Sequence, residues 1–111
     1  MTFDTAVWKP GADRGSATSE FERRMDASEA RYPDYRPPIP ELLQLADLME
    51  AEFPGRPPWE ELRGSLDGDF VYLTMTFSEG AAVQDFMARQ APALGLVVYC
   101  PQSEDFVGPG W

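Results

Sequence analysis

Histidine is missing from this 111-residue sequence. With it go the commonest general base, the commonest metal ligand and every Ser-His or Cys-His nucleophile pair. One cysteine, Cys100, is present. Alone it can neither close an internal disulfide nor make a structural zinc site. No basic residue neighbours it in sequence, so nothing visible lowers its pKa, and it reads as a small residue at the edge of a core. No glycine-rich loop has phosphate-binding spacing. No apolar run approaches the roughly 20 residues that span a bilayer, and the opening MTFDTAVWKP lacks the basic start and apolar stretch of a secretory signal. Together with the cysteine usage this points to the cytoplasm. Basic residues are scarce, 9 against 19 acids, for a net charge of -10. Nucleic acid and anionic membranes would both be repelled on average, so neither is expected as a partner.

Carboxylates alone can still do acid and base chemistry. The close pairs Glu60/Glu61, Asp67/Asp69 and Glu104/Asp105 sit in turn-like segments, where neither burial nor crowding raises a carboxyl pKa into a useful range. Asp67-Gly68-Asp69 lacks the remaining oxygen ligands of a calcium loop and reads as a simple turn. The expectation is a chain that is not an enzyme and carries no cofactor and no metal.

What is present is enough for a folded domain. Hydrophobic residues make up 43% and aromatics 13%, too apolar for disorder despite the charge. Residues 1–111 read as a single domain, with 103–111 a flexible tail ending in two aromatics, Phe106 and Trp111, that either pack on the sheet or face a partner. Phe3 to Trp8 is β-branched and aromatic and stops at Lys9-Pro10-Gly11, which predicts a strand. Ala17, Phe21, Met25, Ser28 and Tyr32 recur at helical spacing, with Ser19 and Glu22 placed as a capping box. That stripe is narrow, so the helix should lie on the outside. Four prolines in Tyr32 to Pro40 demand an extended linker. Pro40 suits a first helical position, and Leu42, Leu45, Ala46, Met49 and Phe53 make a wider apolar face. Phe70 to Phe77 is the strongest strand signal. A third helix follows, capped by Ser78 and ended by Gly95, with Pro92 tightening its last turn. Leu96 to Cys100 is the last predicted strand. The order β-α-α-β-α-β implies an α+β fold with α/β character. It predicts one small three- to four-stranded sheet containing a parallel βαβ pair and packed with helices.

Charge is unevenly placed. Residues 1–40 carry 7 acids and 6 bases, 41–69 carry 8 and 2, and 70–111 carry 4 and 1. The middle segment is therefore the candidate surface for a basic protein: Glu50, Glu52, Glu60, Glu61, Asp67 and Asp69 around Trp59 as an anchor. Glu104 and Asp105 form a second patch. Two alternatives use other residues. A homodimer could join through the second helix or the tail. A ligand or substrate pocket could lie over the sheet near Tyr72, Thr74, Tyr99 and Gln102, whose side chains are polar but unreactive.

The opening Phe-Asp-Thr-Ala-Val-Trp, the Phe70-Val71-Tyr72-Leu73 strand after a Pro-Trp segment, and the closing Gly95-Leu96-Val97-Val98-Tyr99-Cys100-Pro101-Gln102 span most of the chain. They resemble a set of small bacterial proteins that begin Tyr-Asp-Leu-x-Val-Trp and close Gly-Leu-Val-x-Tyr-Asp-Pro-Gln, Cys100 here replacing the acid. Such proteins resemble the immunity proteins of bacterial toxin and immunity pairs. The resemblance implies a domain that inhibits a cognate toxin by covering it. A nuclease-like toxin has a basic groove for phosphates, which an acidic face could occupy as a mimic.

Overall fold

The computed structural model describes residues 2–11, 16–55, 58–59 and 61–108. In chain order the elements are β1 (Thr2–Trp8), α1 (Ala17–Arg31), α2 (Pro40–Glu52), β2 (Leu66–Asp67), β3 (Phe70–Thr76), α3 (Phe77–Gln90), β4 (Val97–Cys100) and β5 (Asp105–Val107). The fold is α+β, with the strands in one antiparallel sheet of order β2-β3-β1-β4-β5.

The expected parallel pair is not formed. β3 and β4 point the same way, as a crossover through α3 requires, but β1 lies between them and runs antiparallel to both. Adjacency of consecutive strands is a tendency followed about two thirds of the time. Here the N-terminal strand takes the central place because its second half is apolar on both faces. Ala6, Val7 and Trp8 are each 0% exposed. Among the described residues the sheet also has five strands rather than three or four. The two additional ones, β2 and β5, span two and three residues, too few for any periodicity to mark them. β5 turns part of the supposed tail into an edge strand, with Phe106 opposite Tyr99, whereas Trp111 lies outside the described residues.

Period-2 alternation sends the two halves of each strand to opposite layers. On one face Val7, Val71, Leu73, Met75 and Val98 pack against Leu42, Leu45, Ala46 and Met49 of α2 and Val83, Phe86 and Met87 of α3. Each fully buried side chain of this kind contributes about 1.5–3 kcal/mol. α3 lies close enough to β1 that a Cβ at Gly80 would collide with the Phe3 side chain, so a small residue is required there. On the other face Ala6, Trp8, Phe70, Val97 and Tyr99 meet Ala17, Phe21 and Met25 of α1. Phe21 stacks on Tyr99 at 4.9 Å between ring centroids. The narrow stripe thus places α1 alone on its side of the sheet. Its intended last member, Tyr32, falls just past the helix and is 71% exposed.

Helix ends follow local chemistry, with two corrections. α1 is capped by Ser16, whose Oγ accepts from the Ser19 amide at 3.1 Å, and not by Ser19 with Glu22. α3 begins at Phe77, one residue before Ser78, after Thr76. Pro40 does open α2, and Gly95 closes the third helical segment in the left-handed region at φ 75°, beyond a tight 3-10 turn, Ala91–Leu94, that holds Pro92. The proline-rich linker is pinned against the β2–β3 turn. The Gly68 amide donates to the Arg36 carbonyl at 3.1 Å, and the Ile39 amide donates to the Gly68 carbonyl at 3.0 Å.

Candidate functional site

The segment expected to be one acidic surface divides into two environments. Asp67, at the end of β2, is fully buried. Its carboxylate accepts Arg31 Nη2 at 2.7 Å and Nε at 3.0 Å, the Arg36 amide at 3.0 Å and Arg36 Nε at 3.2 Å. Burial pushes such a carboxyl up. Here the hydrogen bonds from Arg31, the Arg36 amide, Ser28 and the Arg36 guanidinium outweigh it and bring the pKa down to about 2. Asp69 accepts Arg24 Nη1 and Arg36 Nη2, both at 3.0 Å, and burial is again overcome by these arginines, lowering its pKa. Asp67 is therefore enclosed and unavailable to a partner, whereas Asp69, its side chain 33% exposed, is engaged by arginines at the rim of the fold. Trp59 is also not a surface anchor. It is 7% exposed, bridges to Met75 beside β3 and meets the Phe53 ring edge-on at 5.9 Å.

The remaining acids are outward. On α2, Leu42, Leu45, Ala46 and Met49 face the core, which by 3.6-residue periodicity turns Leu43, Asp47, Leu48, Glu50 and Glu52 out. Leu43 and Leu48 are 38% and 39% exposed. Arg63 Nη2 donates to both Asp47 Oδ1 and Glu50 Oε1 at 2.6 Å, holding the turn after Trp59 against the helix and lowering the Glu50 pKa. Glu61 is exposed in that same turn, and the Ser65 hydroxyl donates to its carbonyl. Glu60 lies outside the described residues. Glu104 and Asp105 are exposed at the β4–β5 turn, at the opposite sheet edge from Asp67, so they form a separate patch.

Three of the four polar side chains proposed for a pocket over the sheet, Tyr72, Tyr99 and Gln102, are engaged internally. Tyr72 Oη donates to Asp4 Oδ2 at 2.6 Å; burial first, and that bond second, push its pKa up. Tyr99 shares a 2.9 Å hydrogen bond with Thr18. Gln102 acts as one more rung of the sheet: its Oε1 accepts the Asp4 amide at 2.5 Å and its Nε2 donates to the Asp4 carbonyl at 2.8 Å. Its Nε2 also lies 2.9 Å from Cys100 Sγ. Burial raises the Cys100 thiol, but hydrogen bonds from Ser103, Gln102 and Gln84 carry its pKa below the ordinary value, contrary to the expectation from sequence. Among the described residues, no group of three or more His, Cys, Asp or Glu side chains is placed to hold a metal ion. None of the described helices is long and apolar enough to cross a membrane.

One feature escaped the sequence reading. Arg23, Arg24 and Arg31 of α1 and Arg36 of the linker converge with Asp69, Ala27 and Phe70 around a cavity of about 290 Å³. The signal was there: Arg24, Ala27 and Arg31 follow i, i+3, i+7 spacing, on one helix face, in the segment where bases nearly balance acids. The chain matches none of the protein-family models, curated proteins or solved structures with which it was compared.

Proposed function

We propose that this chain is a non-catalytic protein-binding domain of the immunity-protein kind, which inhibits a basic, nuclease-like bacterial toxin in the cytoplasm by covering it with the outward face of α2. The observation that carries this reading is the pairing on one helix of two exposed leucines with Asp47, Glu50 and Glu52, and with Glu61 in the adjoining turn, four acids against the single cation Arg63 among the described residues there. Interfaces draw affinity from a desolvated apolar centre and selectivity from charge around it. α2 has no basic residue in its last turn, so its C-terminal carbonyls add to the negative potential there. A basic partner is favoured over a second copy of this chain, because two such faces would repel. Glu104 and Asp105 remain a second patch that a large partner could reach.

The test is coexpression with the C-terminal domain of the protein encoded beside this one. Wild type should restore growth, and Glu50→Lys/Glu52→Lys/Glu61→Lys should not, while remaining folded with a urea midpoint lowered only modestly by loss of the exposed Glu50–Arg63 pair. Binding should weaken by about ten- to a hundredfold in the triple variant and should weaken with added salt for the wild type. Equal rescue by the triple variant, or none by wild type, rules out this face and this partner. Concentration-dependent dimerisation in sedimentation would assign the face to self-association instead.

A further inference from the structure

We infer that the arginine-lined cavity between α1 and the β2–β3 turn is a binding site for a tetrahedral oxyanion, either inorganic phosphate or a small phosphate monoester. This site is independent of the α2 face and involves none of its residues.

Charge placement is the first argument. Four guanidinium cations, Arg23, Arg24, Arg31 and Arg36, are met in the described ion pairs by three carboxylates, Glu20, Asp67 and Asp69. One positive charge is left over, in a chain whose 19 acids could readily have supplied a fourth partner. A network serving stability alone has no reason to leave that charge concentrated around a cavity, since like charges gathered without a counterion repel.

Preorganisation is the second. The carboxylates hold Arg23, Arg31 and Arg36 through Nε and Nη2. Arg24 is fixed by Glu20, Asp69 and the Lys9 carbonyl, with its side chain only 11% exposed. Three of the four guanidiniums are thus anchored from the helix, the linker and the turn before any ligand arrives, which removes much of the ordering cost of binding. Arg23, paired with Glu20 alone among the described ion pairs, is the most exposed of the four, at 65%.

Shape selects the class. A planar carboxylate accepts one or two guanidinium forks, whereas a phosphate presents oxygens in three directions to donors arriving from different elements. The volume, about 290 Å³, is at the lower end of the roughly 300–1,000 Å³ typical of small-molecule pockets, and leaves room for a modest group attached to the phosphate.

The experiment is an NMR titration of the full chain, following arginine Nε–Hε and backbone signals. Sodium phosphate, phenyl phosphate and sodium acetate are added at ionic strength matched with chloride. Saturable shifts confined to the four arginines, Ala27, Asp69 and Phe70 are expected with phosphate, and acetate should bind at least about fivefold more weakly. Tighter binding of phenyl phosphate assigns a monoester; equal binding assigns free phosphate. Arg23→Gln should weaken phosphate by about tenfold, while its thermal midpoint without phosphate falls only by what the loss of one exposed ion pair to Glu20 removes. Arg23→Lys, which keeps the charge and loses the fork, should fall between. Shifts that never saturate, acetate binding as tightly as phosphate, or an Arg23→Gln variant that binds like wild type would each overturn the assignment.

Discussion

At the scale of single residues, Asp67 is the position on which most depends. Its carboxylate is fully buried and joins the last residue of α1, the linker at Arg36 and the β2–β3 turn. The fall of its pKa from 3.8 to about 2 corresponds to about 2 kcal/mol of stability at neutral pH. Asp67→Asn keeps the volume and removes the charge that two arginines were placed to meet. It should lower stability by about 2–4 kcal/mol, read as a lower urea midpoint at unchanged slope. A loss below about 0.5 kcal/mol would show that Arg31 and Arg36 satisfy themselves in water. The turn itself depends on Gly68, at φ +59°, where any Cβ would also press within 2.8 Å of the Arg36 guanidinium.

At the scale of elements, the sequence exposed what has period and hid what does not. β1, β3, β4 and the three helices announce themselves over seven, seven, four, fifteen, thirteen and fourteen residues. β2 and β5 are too short to alternate, and strand order is a long-range property that no local pattern encodes. The same limit explains the site. Asp67 and Asp69 look like exposed turn acids until α1 and the linker bring arginines 31 to 45 positions away in sequence onto them. Glu50 and Glu52 of α2 were legible from the uneven charge count, whereas Asp47, on the same outward side by helical period, was not singled out. Order within the sheet should grade from centre to edge. Amides of Ala6, Val7 and Leu73 should exchange with solvent only through global unfolding. Those of Phe106 and Val107, in a three-residue strand whose side chains are all exposed, should exchange with an opening free energy at least about 2 kcal/mol lower. Equal protection at Val107 and Val7 would make β5 part of the cooperative core.

At the scale of the molecule, the charges predict an unusual dependence on pH. With no histidine, neither the carboxylates nor the lysine and arginines change charge between about pH 6 and pH 8, so stability should be nearly flat there apart from a slight rise at the upper end from the lowered Cys100 thiol. Moderate acid then begins to neutralise outward carboxylates, relieving self-repulsion in a chain of net charge -10, which favours the compact state. Against this stand Glu20, Asp67 and Asp69, each lowered by its arginines once burial has been overcome. A carboxyl whose folded pKa is depressed contributes its full stability above its unfolded pKa and loses it as pH falls through the folded value. For Asp67 that window runs from about pH 4 down to about pH 2. The two effects have opposite signs and adjoining ranges, so urea midpoints should rise slightly from about pH 7 to about pH 5 and then drop steeply below about pH 4. Asp67→Asn should lower the whole curve and flatten its acid limb, because the asparagine has no proton to take up. A variant that keeps the wild-type acid limb would place the proton-linked loss of stability elsewhere than at Asp67, with Glu20 and Asp69 the next carboxylates to replace.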